Sequence, residues 1–265
     1  MSAIPYRSRV LSQLGIPHGF TRRDLQLPAA GATSWNIGYE LALQNRRIWW
    51  ARLRIPLSAT VFPYQVHGDR VALVTRADAG CGAEVPETAI PDTDALIACE
   101  PGLAVAVQCA DCVPMLVYAP DLPAVAAIHA GWRGTVRSIA ARVVTLLGEL
   151  GQRSQRLSVV FGPSIGPCCY EVGEEVIDAW LSIAPGDPPG ALVRYGSSVH
   201  FDLWTANRYL LERLGVPSNR IEVAGVCTRC RASEWFSYRA HGPRTGAQAA
   251  VIALPKEATE DDADE

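Results

Sequence analysis

Three apolar runs, Gly102–Gln108, Val113–Ala119 and Ala124–Ile128, follow one another with only a few residues between them. They are rich in Val and Ala and bounded by Pro, Gly and Asp, so they read as buried strands. A chain with this centre needs further elements to cover them. Val136–Leu150 supplies a helix, because Ile139, Val143, Leu146, Leu147 and Leu150 recur at spacings of three and four and Gly151 is a natural stop. Leu157–Phe161 reads as another strand, followed by the loop GPSIGPCCYE. A helix is expected over Glu174–Ile183, and a hairpin over Ala191–Phe201 around Gly196-Ser197-Ser198. Asp202 can cap a helix running to Leu214, ended by Gly215. Strands Ile221–Val226 and Ala247–Leu254 close the body. Strands and helices interleave without strict alternation, which favours a mixed α/β single domain over a doubly wound parallel sheet.

With 265 residues, 49% of them hydrophobic and 19% charged, the chain can bury a sizeable core. The expected organisation is one domain over 1–255 and an acidic, disordered tail over 256–265, where KEATEDDADE sets six acids against one lysine. The net charge of −3 gives no reason to expect nucleic acid. No stretch approaches the about 18 apolar residues of a membrane span, and the first residues lack a secretory pattern. A cytoplasmic location is therefore expected, with no membrane partner. In that compartment the eight cysteines are thiols rather than a disulfide framework.

Chemistry concentrates around Gln108-Cys109-Ala110-Asp111-Cys112. Taken as a continuous strand end, it puts Cys109 and Asp111 on one face and Cys112 on the other. That argues against a chelating Cys-x-x-Cys, and a four-cysteine zinc knot with the distant Cys227-Thr-Arg-Cys230 is disfavoured. The adjacent pair Cys168-Cys169 reads as packing or pocket lining, with Tyr170 a stacking surface for a base. His67, in Gln-Val-His-Gly-Asp, and His129, at the end of an apolar run, sit where strands meet loops. One thiolate from Cys109 and two imidazoles from His67 and His129 make three ligands with a fourth position open, which suits a catalytic Zn²⁺. Asp111 would orient a ligand or move a proton. Arg133, just after His129, together with Arg239 and Arg244, could hold an anion.

The stretches QVHGD, DTDALI, QCADCVP, AIHAGWRGT, GPSIGPCCYEV and the late CT…WFSYR resemble the laccase-domain, or "multicopper polyphenol oxidoreductase", family, whose members include bacterial purine nucleoside phosphorylases. The resemblance runs from about His18 to Leu254. It implies a mixed α/β sandwich related to the cytotoxic-necrotizing-factor-like deamidases, and metal ligands at His67, Cys109 and His129. The implied activity is zinc-dependent phosphorolysis of adenosine, inosine and methylthioadenosine to the free base and ribose 1-phosphate. Deamination of adenosine by water is implied as well, so purine nucleosides and phosphate are the implied small-molecule partners. The chain departs from the family pattern at Ala240 and Ala247, where arginines are usual, leaving Arg244 or His241 to substitute.

Three other readings use the same residues. Multicopper oxidation needs many histidines, usually in His-x-His pairs; five histidines and no such pair leave at most a weak copper-linked polyphenol oxidation. A metal-free hydrolase would use Cys109 as nucleophile with His129 as its base. A non-enzymatic binding module is the last.

Overall fold

The structure is a computed structural model, and it describes residues 3–34, 36 and 38–256. The expected acidic tail lies, apart from Lys256, outside the described residues.

Two sheets form the body. Strands β1 (His18–Phe20), β2 (Thr60–Val61), β5 (Ala104–Cys109) and β13 (Gln248–Ala253) make a four-stranded sheet in the order β1-β13-β5-β2. Strands β3 (Val71–Val74), β4 (Ala95–Ala98), β6 (Val113–Ala119), β7 (Ala124–Ala130), β8 (Ser158–Phe161) and β12 (Ile221–Val223) make a six-stranded sheet in the order β12-β8-β6-β7-β4-β3. Both sheets mix parallel and antiparallel pairs. A small third sheet combines β9 (Glu171–Val172) with the hairpin of β10 (Leu192–Tyr195) and β11 (Ser198–Phe201).

Side-chain alternation sorts these strands into layers. Val105 and Val107 of β5 pack with Leu116 of β6 and Val125 and Ala127 of β7, forming the core between the sheets. The alternate residues of β5, Ala104 and Ala106, face Trp49 and Trp50 on helix α2 (Tyr39–Leu53). Met115, Val117, Ala126 and Ile128 face the opposite way, toward α4 (Ile139–Glu149), α5 (Glu174–Ile183) and α6 (Leu203–Glu212). The result is an α-β-β-α sandwich in which both main sheets are buried on both faces. That burial is why β5, β6 and β7 read as continuous apolar runs rather than alternating ones.

The expected mixed α/β fold is what the chain adopts, with local differences. The helix expected over 136–150 is divided into α3 (Trp132–Val136) and α4, because Ser138 takes a left-handed conformation with φ 60°. Helix α2 carries no clean apolar stripe, since Asn45 and Arg46 are buried along with its tryptophans. Arg46 is held there by the carbonyls of Thr33, Gly82 and Ala83 and lies over the Phe62 ring at 4.1 Å. Two short helices complete the chain: α1 (Arg9–Gln13) near the start and α7 (Tyr238–His241) near the end.

Candidate metal centre and substrate pocket

The chain passes from one main sheet to the other at Ala110-Asp111-Cys112, between the end of β5 and the start of β6. The turn depends on Asp111, whose φ of 89° lies in the left-handed region that a non-glycine residue enters at a cost. Its carboxylate is fixed by two donors, the Thr228 hydroxyl on Oδ1 and the Arg239 amide on Oδ2, both at 2.6 Å.

This crossing decides which cysteine meets the histidines. Val113 pairs with Ala130 and Pro114 with His129, so one step further Cys112 stands opposite Gly131. Cys112 has the parity of Leu116, and His129 that of Val125 and Ala127; both therefore belong to the face turned toward the other sheet. The ligand atoms of His67, Cys112 and His129 all lie within 4.8 Å of one another. The two imidazoles approach edge to face, with ring centroids 4.8 Å apart. Gly131 leaves the space this needs: a Cβ there would stand 2.8 Å from the Cys112 sulfur.

The grouping corrects the expectation for Cys109. That residue ends β5 in register with Gln248 and is outside the three-ligand group. Burial, reinforced by the neighbouring charges of Cys112 and Asp111, pushes its thiol well above the ordinary value. A thiol kept protonated is a poor ligand and a poor nucleophile. The expectation treated Gln108–Cys112 as one strand, whereas the left-handed Asp111 ends that strand and starts another in the other sheet.

Cys112 has the opposite character. Burial alone would raise its thiol, but the charge on His129 and hydrogen bonds from His129 and His67 outweigh this and draw it below the ordinary value. His129 is driven up in turn: burial opposes its charge, while Cys112 and Asp94 favour it more strongly.

Asp94, just before β4, organises both histidines and is a residue that the motif DTDALI contained without singling out. His129 Nδ1–H donates to its Oδ1 at 2.8 Å, which leaves Nε2 for the site. The amides of Val66, His67 and Gly68 donate to the same carboxylate at 3.1, 3.0 and 2.7 Å. They hold the His67 loop although His67 itself is exposed and sits at φ 59°. Burial works against ionisation of Asp94, yet these donors keep its carboxyl below the usual range.

A pocket of about 810 Å³ opens over this group. Its wall includes Tyr170, Arg133 and Arg239, three of the four residues expected to meet substrate or phosphate. Arg133 stacks on Trp132 with 4.2 Å to the ring centroid and pairs loosely with Glu175 at 3.5 Å. Helix α3, in which Arg133 is the second residue, is only five residues long. Arg239 lies over the Tyr170 ring at 5.2 Å. Burial, with the charge of Cys112, raises the Tyr170 phenol, so it stays a neutral donor. The fourth residue, Arg244, is not brought in: it is exposed, and its neighbours Pro243 and Thr245 line the pocket instead. His241 is turned to Arg23 and to the Ser237 carbonyl. Ala247, at a position where the family resemblance sets an arginine, lines the pocket.

The remaining histidines are engaged elsewhere. His18 bridges Ser8 and Ile16, and His200 binds the Pro167 carbonyl. The described residues therefore offer one two-imidazole centre, too few nitrogens for the clusters of multicopper oxidases. Among the described residues, no helix is long and apolar enough to cross a membrane.

A mixed α/β sandwich with a His-Cys-His group at the seam of its sheets thus defines a metal-associated class of pocket. The chain belongs to the family described as multi-copper polyphenol oxidoreductase laccase, which it matches over residues 17–255. It is 37% identical to the purine nucleoside phosphorylase YlmD of Geobacillus stearothermophilus over 82% of this chain and 80% of that one. It is 36% identical to the adenosine deaminase RL5 of an unknown prokaryotic organism, over 74% of this chain and 75% of that one. The crystal structure of YlmD from Geobacillus stearothermophilus superposes with a TM-score of 0.86 at 33% identity, covering 91% of this chain and 93% of that one. That of Bacillus licheniformis YfiH gives 0.85 at 32% identity, covering 92% and 94%. Relatives named as phosphorylases and a deaminase support an enzyme.

Proposed function

We propose that the chain is a zinc-dependent purine nucleoside enzyme. It cleaves adenosine, inosine and methylthioadenosine with phosphate to the free base and ribose 1-phosphate, and also deaminates adenosine. The observation that carries this reading is the convergence of His67, Cys112 and His129 beneath a pocket large enough for a nucleoside. The donor set fits: two imidazoles and one thiolate suit Zn²⁺, or Cu as the second choice, and leave a coordination position open. A cation bound there supplies Lewis acidity and, for deamination, an activated water.

The chain's own residues account for the rest. Asp94 sets the tautomer of His129 and the placement of His67. Tyr170 offers a ring face and a phenolic donor to a purine. Arg133 and Arg239 are the guanidinium groups positioned at the pocket wall for phosphate. Asp111, already bound by Thr228 and Arg239, retains lone pairs for a proton in transit, in keeping with its proposed catalytic role. The small-molecule partners are purine nucleosides and phosphate, and the expected location is the cytoplasm.

The test is purified protein with adenosine, with and without phosphate. Adenine formed only with phosphate reports phosphorolysis; inosine formed without it reports deamination. Absence of both products from zinc-loaded protein would overturn the proposal.

A further inference from the structure

A second convergence of metal-binding side chains lies beside the pocket. The sulfurs of Cys168, Cys169, Cys227 and Cys230 all fall within 4.8 Å of one another. Two strand-end loops bring them together. Ser164 and Cys227 form a bridge, with the Ser164 amide donating to the Val226 carbonyl and the Thr228 amide to the Ser164 carbonyl. Gly166 allows the closest approach, because a Cβ there would meet the Trp204 ring at 2.9 Å and Cys227 Cβ at 3.4 Å. After it the chain makes a tight turn, with the Cys169 and Tyr170 amides both donating to the Gly166 carbonyl. The turn brings both adjacent cysteines to one side, and Cys168 and Cys169 both reach the Cys230 sulfur, at 3.6 and 3.3 Å.

These separations are far longer than the about 2.05 Å of a disulfide. They approach the edge of a tetrahedron with Zn–S bonds of about 2.3 Å, which is about 3.8 Å. Four sulfur donors close a tetrahedral shell completely, and two of them come from a Cys-x-x-Cys at Cys227 and Cys230. Arg229, inside that motif, places its guanidinium 3.6 Å from the Cys169 sulfur and offsets part of the negative charge of four thiolates.

We propose that Cys168, Cys169, Cys227 and Cys230 bind a structural Zn²⁺, separate from the His67, Cys112 and His129 group. Its consequence for the pocket follows from the neighbours. One loop continues into Tyr170 of the pocket wall, and the other carries Thr228, whose hydroxyl holds Asp111. The ion clamps the two loops together and so braces one wall of the pocket without touching substrate.

The experiment is elemental analysis of protein produced with zinc and purified under reducing conditions without chelator, for wild type, His67→Ala, Cys168→Ser and Cys230→Ser. Cys168 and Cys230 are exposed, which favours folding of their variants. The expected result is one zinc per chain lost in each cysteine variant, with a lowered Tm, and a separate zinc lost in His67→Ala. Titrating folded wild type with a mercurial and a zinc-reporting dye gives a readout independent of any variant, and release of zinc as these four thiols react is expected. Zinc content unchanged by both serine substitutions would overturn the proposal, as would disulfides among these cysteines in the zinc-loaded protein. Neither measurement depends on nucleoside turnover, so this clamp and the catalytic reading stand or fall separately.

Discussion

Cys109 and Cys112 are three residues apart, both line the pocket, and have opposite surroundings. Burial keeps the first protonated, and two histidines favour the thiolate of the second. Cys112→Ser is therefore expected to abolish zinc binding at the His67–His129 group, whereas Cys109→Ser leaves it intact; equilibrium titration against a competing chelator separates the two. Asp94→Asn keeps the shape but replaces an oxygen that accepts from His129 or from the His67 loop, and is expected to weaken zinc binding there by about 10- to 100-fold in the same titration. At this scale His67 and His129 were legible from their positions at the polar ends of apolar segments. The partner cysteine was not, because the strand parity used to choose it is broken by one left-handed residue. The register of β6 on β7, which sets Pro114 against His129, carries the information that alternation along β5 lacked. Asp94 was hidden for a related reason: it acts through backbone amides 26 to 28 residues away.

Elements with a simple period were the readable ones. Strand β6 and helix α5 match their expected spans, and Asp202 caps α6 by accepting from the Trp204 and Thr205 amides. Helix α2 was silent because its buried side includes Arg46 and Asn45, whose N–H donors meet loop carbonyls rather than apolar neighbours. The pairing of β1 with the segment before α1 has a pH signature. His18 is buried, donates from Nδ1 to the Ile16 carbonyl and accepts the Ser8 amide on Nε2, so it is held neutral. Burial is the main reason that its pKa is lowered. The unfolded chain therefore takes up a proton first as pH falls, and the stabilisation present above about pH 6.5 is lost below it. Urea unfolding at pH 7.5 and at pH 5 should show this loss, and His18→Gln should flatten the difference.

The molecule as a whole sets its chemistry on a boundary. His129 belongs to the six-stranded sheet, which Cys112 leads into, Cys109 and Gln108 belong to the four-stranded one, and the pocket opens where the chain changes sheets. Sequence periodicity reported β5, β6, β7, β8, β12 and β13 but neither β1 to β4 nor which strands share a sheet, since that depends on pairing between distant segments such as β5 with β13. Zinc at a hundredfold excess over its Kd adds about 2.7 kcal/mol to the folded state. Global thermal unfolding should report that gain in wild type, and His129→Ala should lose it.

A seam of this kind also has a mechanical meaning. His129 on one sheet, with Gln108 and Cys109 of the pocket wall on the other, makes the centre a gauge of how the two layers slide. Amide hydrogen exchange should therefore slow on zinc addition along Val113–Ala119 and also along Gln248–Ala253, a strand that holds none of the three ligands. Protection confined to the ligand loops would mean that the layers move independently of the site.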